Sequence, residues 1–193
     1  MLALNPRKTA LVVIDLQQGI VGMSVAPHPA ALVIANSVAL ARGLTSAGGT
    51  VVLVRVAFAA NGADRLSQPV EEPMRVPAGG PPPGWSDLVP EVAALQHDVV
   101  IVKHQWSAFY GTDLDLQLRR RGVDTIVLAG IATNFGVEGT AREAWAHNYA
   151  VVFAEDAMSA VSAEHHRFAM EKILPRLGLI RSTEAILAAL PAQ

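Results

Sequence analysis

The chain has 193 residues, 51% of them hydrophobic and 17% charged, with a formal net charge of -2. That apolar content excludes intrinsic disorder, and the near-neutral balance lacks the positive charge of a nucleic-acid or anionic-membrane binder. Cysteine is absent, which removes disulfides, thiolate zinc sites and any cysteine nucleophile together.

The length fits one α/β domain over residues 1–193. The opening MLALNPRKTALVVID has a cationic pair before a short apolar run that stops at Asp15. No stretch reaches the roughly 18 apolar residues that cross a bilayer, and the run is too short for a secretory signal, so a cytoplasmic location is expected. Residues 9–14 (TALVVI) form the first predicted strand. Residues 30–47 carry apolar positions at mostly helical spacing and stop at Gly48-Gly49. Residues 50–56 (TVVLVRV) form the second strand. Residues 61–84 then hold six of the 12 prolines and four glycines. This stretch is too long for an ordinary connection and reads as an ordered excursion, either a lid or an oligomer contact. Strands resume at 99–102 (VVIV). A helix follows at 113–121, with acids in its first turn and arginines in its last. The fourth strand is 125–129, followed by a helix at 134–147. The fifth is 150–154, followed by a helix at 162–174. A weaker sixth strand at 179–181 precedes a helix at 182–190, with Ser182 and Thr183 as candidate caps. Continuous apolar runs of this length indicate strands buried on both faces of a parallel sheet. The β/α alternation predicts a three-layer α/β/α sandwich.

In an open parallel sheet, ligands bind beyond the carboxyl ends of the strands. Strand one ends in Asp15 and strand three in Lys103. Strand four runs into GIATNFG at 130–136 and then a helix. A carboxylate, an ammonium and a helix start rich in free N–H groups therefore converge, an arrangement suited to an anion or a developing oxyanion. Trp106, Phe109 and Tyr110 follow the lysine and either pack the core or line a pocket. Gln17 and Gln18 read as solvated turn residues, with Gln17 also a candidate ligand contact. Asp156 reads as a cap on the turn after strand five. His165 and His166 are neighbours on a helix and point about 100° apart, so they do not share a metal. The other histidines show no ligand spacing. Phosphate-binding glycine loops are absent.

The segments VVIDLQQGI and VKHQWSAFYGTDLDLQLRRRGVDTIVLAGIATNFGVEGTAREAWAHNYAVVFAEDA resemble the isochorismatase-like hydrolases, or cysteine hydrolase superfamily, and the resemblance spans nearly the whole chain. It implies a six-stranded Rossmann-like sheet of order 3-2-1-4-5-6. It also implies a non-proline cis peptide before Ala132. In the amidase branch an Asp, a Lys and a Cys form a triad. Asp15 and Lys103 match the first two, and Gly136 stands at the third. A glycine cannot supply the thiolate that nicotinamidases and related amidases need. Arg55-Val56-Ala57 also lacks the Asp-x-His of the nicotinamidase metal site.

The resemblance therefore implies the branch that hydrolyses an enol-ether or related bond with water and no covalent intermediate. Asp15 and Lys103 act as acid and electrostatic partner, and the Ala132 and Gly136 amides form a cradle. Ala132, Asn134, Phe135, Trp106, Phe109 and Gln17 are the candidate substrate contacts, and Thr133 or Asn134 is a candidate helix cap. Isochorismatases carry Tyr and His where this chain has Ala132 and Asn134, which leaves the substrate open. Gly136 serves either close packing or substrate space. No metal or organic cofactor is implied, and a homo-oligomer, dimer or tetramer, is expected. The alternative is a family member without activity that binds a small metabolite. Lys103 carries a geometric demand, since one strand separates it from Asp15 and about 10 Å lies between their backbones.

Overall fold

Every residue of Thr9–Ile14 is buried, and successive side chains alternate between two apolar layers as a strand requires. Ala10, Val12 and Ile14 enter one core, while Leu11 and Val13 enter the other. This strand, β1, lies in the middle of the sheet. The computed structural model describes residues 2–73 and 80–191. Its elements in chain order are β1 (Thr9–Ile14), α1 (Gln18–Val21), α2 (Ala30–Ser46), β2 (Thr50–Val56), α3 (Pro90–Ala93), β3 (Val99–Lys103), α4 (Leu114–Arg120) and β4 (Thr125–Ile131). After β4 come a π-turn at Thr133–Val137, α5 (Glu138–Ala146), β5 (Ala150–Ser159), α6 (Ala163–Phe168), β6 (Leu179–Arg181) and α7 (Thr183–Leu187).

The six strands run parallel in the order β3-β2-β1-β4-β5-β6. Residues of α4 and α5 pack one face. Residues of α2, α3 and α7 pack the other. The chain order reverses between β1 and β4, the switch point at which such sheets open a crevice.

Several expectations need correction. The edge strand β3 is not buried on both faces, because Val100 is 44% exposed and Val102 38%. β5 continues past Ala154 to Ser159, since the polar Glu155 and Asp156 find partners within the fold. Asp156 caps no following turn; its Oδ1 accepts from the Thr183 N–H and hydroxyl at the start of α7. The helix expected at 162–174 is α6, then a π-turn at Ala169–Ile173 and a 3-10 turn at Leu174–Arg176. Pro175 supplies no N–H to continue an α-helix there. Ser182 caps α7 as expected, its Oγ accepting from the Ala185 N–H. Within the 61–84 excursion, 74–79 lie outside the described residues; the described remainder forms no helix or strand.

Gly130 holds β4 against β1. Its φ is 120°, and a β-carbon there would stand 2.0 Å from the Ile14 carbonyl oxygen. Both facts demand glycine. Gly130→Ala should therefore lower stability by more than about 3 kcal/mol in urea denaturation. A loss below about 1 kcal/mol would contradict this packing.

Candidate active site

Asp15 is the first residue past β1, and its backbone turns sharply. Its φ is 53°, a left-handed conformation uncommon outside glycine and found disproportionately at functional positions. Its N–H still bonds the Val54 carbonyl of β2, so the turn is anchored. The carboxyl is buried, and Lys103 Nζ stands 2.7 Å from its Oδ2. The long lysine stem spans β2 and meets the geometric demand. Lys103 also donates to the carbonyl oxygens of Gln105 (3.1 Å) and Trp106 (2.9 Å). Its side chain is only 2% exposed, and the three hydrogens of its ammonium have three acceptors.

The other carboxylate oxygen, Asp15 Oδ1, is buried without a hydrogen-bond partner. Such orphaned acceptors are rare in native interiors. Burial pushes the Asp15 carboxyl up to about 6, against the opposing pull of Lys103. The side chain thus exchanges a proton near neutrality, and its free oxygen is the place to carry it.

The turn after β4 closes the site. The Ile131–Ala132 peptide is cis, as the resemblance implies. Among the described residues, the N–H groups of Ala132, Thr133 and Asn134 make no backbone hydrogen bond. Neither Thr133 nor Asn134 caps the helix. Thr133 Oγ1 instead pairs with His166 Nδ1 at 2.9 Å, and Asn134 Oδ1 is a second buried acceptor without a partner. Gly136 faces the ion pair directly. A β-carbon on it would lie 2.9 Å from Ile14 Cγ2, 3.1 Å from Asp15 Oδ2 and 3.5 Å from Lys103 Nζ. Glycine therefore serves close packing here, not substrate space. The room a β-carbon would need is already taken by Ile14 and the carboxylate.

The remaining candidates divide. Phe135 (38% exposed) and Trp106 (59% exposed) pack against each other at a tilt of 45° with ring centroids 5.0 Å apart, joining the lysine loop to the turn after β4. Phe109 is not a ligand contact. It is buried in the core, and its ring packs on His147 and Tyr149. Gln17 is neither solvated nor free. It is fully buried, accepts from the Val56 N–H at 2.8 Å, and donates to the carbonyls of Val56 and Trp85. Its amide is spent on tying β1, β2 and the returning arm of the excursion together, so it is removed from the ligand contacts.

No spacing in the sequence marks one further cluster. His28, Glu155 and His166 meet beside Thr133, with Glu155 Oε1 2.9 Å from His28 Nε2 and 3.4 Å from His166 Nε2. The signal available beforehand was the acidic pair Glu155-Asp156 interrupting an apolar strand.

The isochorismatase domain model matches residues 9–185. The chain is 50% identical over 190 residues to the uncharacterized isochorismatase family protein YecD of Escherichia coli O157:H7, covering 98% of this chain and 100% of the relative. It is 31% identical over 223 residues to the ureidoacrylate amidohydrolase RutB of Methylobacterium radiotolerans, covering 98% and 82%. A solved isochorismatase family protein from Burkholderia thailandensis superposes with a TM-score of 0.91 at 43% identity, covering 98% of each chain.

Gln17→Ala leaves the Val56 N–H without its acceptor, and should cost about 2–3 kcal/mol in chemical denaturation. An unchanged denaturation midpoint would contradict this anchoring role.

Proposed function

The chain belongs to the isochorismatase family, and from that premise we propose that it is a water-using hydrolase of a small enol-ether metabolite, with Asp15 as proton donor. The observation that supports this most is the state of Asp15: one oxygen paired to Lys103, the other unpartnered, and a carboxyl raised to about 6. A protonated Asp15 transfers its proton to the terminal vinyl carbon, leaving a carbocation stabilised by the ether oxygen. Water adds to that cation and gives up a proton to the Asp15 carboxylate, and the resulting hemiketal collapses to a ketone and an alcohol, its hydroxyl proton passing to the departing oxygen. Proton transfer to carbon is slow, so the donor must be held close and aimed. The Lys103 contact and the anchored turn hold it. Lys103 then stabilises the carboxylate left behind, and the free amides at 132–134 suit an anionic substituent of the substrate.

In this reading the protein is neither a nicotinamidase nor a thiolate amidase. The chain contains no cysteine, and Gly136 stands beside the pair where the amidase branch places one. Exposed aromatic residues, Trp106, Tyr110, Phe135, Trp145 and Phe168, support the expectation of a homo-oligomer.

Purified protein should be assayed against isochorismate, chorismate and related enol ethers, with ureides and amides as the contrasting arm. Turnover of an enol ether is expected, and Asp15→Asn should reduce it by about 100-fold or more. Full activity in Asp15→Asn would exclude the mechanism. Ligand-induced thermal stabilisation without turnover of any compound would identify a metabolite-binding protein instead. The acid form of Asp15 prevails below its raised value of about 6, so kcat/KM should be level at low pH and fall as pH rises through that value. A rate that climbs through the same range would make Asp15 a base.

A further inference from the structure

His28 comes from the connection between α1 and α2, Glu155 from within β5 and His166 from α6. Distant in sequence, they offer two imidazole nitrogens and a carboxylate oxygen, all within 4.8 Å of one another. The two rings stand nearly perpendicular, 86° apart with centroids at 5.6 Å. The existing separations of 2.9 and 3.4 Å bracket the spacing of about 3.3 Å between ligands that sit roughly 2 Å from a tetrahedral ion.

We propose that His28, Glu155 and His166 form a binding site for a divalent first-row transition cation of the zinc type. Two nitrogens and one oxygen suit such an ion, whereas calcium and magnesium favour oxygen alone. The supporting shell is already built. His166 is 3% exposed, and its Nδ1 lies 2.9 Å from Thr133 Oγ1. With the proton on Nδ1 donated to that hydroxyl, the Nε2 lone pair faces the cluster, the usual means of orienting a ligating histidine. The His28 and Glu155 side chains are 22% and 38% exposed, which gives the ion an entry path and its fourth position a water. The bound cation would fasten β5, α6 and the loop before α2 to one another, and through Thr133 to the turn that carries Asn134 and Gly136.

The test is titration of chelator-stripped, full-length protein with zinc chloride alone, read by calorimetry and by thermal unfolding. One ion per chain and a rise in Tm are expected. His28→Ala and Glu155→Gln, both at partly exposed positions, should each weaken binding by at least about tenfold and shrink the Tm rise. His165→Ala, at the exposed neighbouring position, should behave as wild type. Absence of stoichiometric binding would overturn the proposal, as would binding that neither His28→Ala nor Glu155→Gln weakens. Because the readout is cation binding and not turnover, its failure is separate from failure of the reaction proposed above.

Discussion

The structure turns on a charged pair that stability alone does not explain. Asp15 and Lys103 are both buried and meet at 2.7 Å across an intervening strand. Removing two charges from water costs several kcal/mol each, and apolar residues of similar volume often serve a fold as well or better. Here the ammonium is fully compensated, with Asp15, Gln105 and Trp106 as acceptors. The carboxylate is not, because Oδ1 has no partner. That asymmetry leaves Asp15 Oδ1 open to a proton while Oδ2 stays paired to Lys103.

The surroundings follow from the need to seat this pair. The chain reverses its strand order between β1 and β4, which brings the turn after β4 against the end of β1. Gly130 allows the backbone contact with Ile14, and Gly136 lets the following turn approach the carboxylate and ammonium without a side chain between them. Gln17 locks the end of β1 to β2 from the other side. Rigidity in these supports keeps a carbon-directed proton donor aimed. The strained backbone at Asp15 is the local cost of that aim.

The strands and the residues at their ends are legible in the sequence because both follow from local pattern. Apolar runs mark parallel strands, and the chemistry of an open sheet collects at strand termini. Asp15, Lys103 and the turn carrying Gly136 come out by that route. What stays hidden depends on partners far away in the chain. Gln17 looks solvated until Val56 and Trp85 supply its bonds. Phe109 looks like a pocket residue until Tyr149 and His147 cover it. The polar Glu155 looks like the end of a strand until His28 and His166 arrive from elsewhere. The π-turns at Thr133–Val137 and Ala169–Ile173 have no reliable local signature; only Pro175, just beyond the second, marks where α-helix cannot continue.

The measurement closest to the centre of this picture is a carbon NMR titration of the Asp15 carboxyl in the wild type and in Lys103→Met. In the wild type the midpoint should lie near about 6, well above the ordinary aspartate value of 3.8. Loss of the lysine should move it higher, because only burial then acts on the carboxyl. A wild-type midpoint at or below 3.8 would mean that the ion pair dominates and that Asp15 is no proton donor.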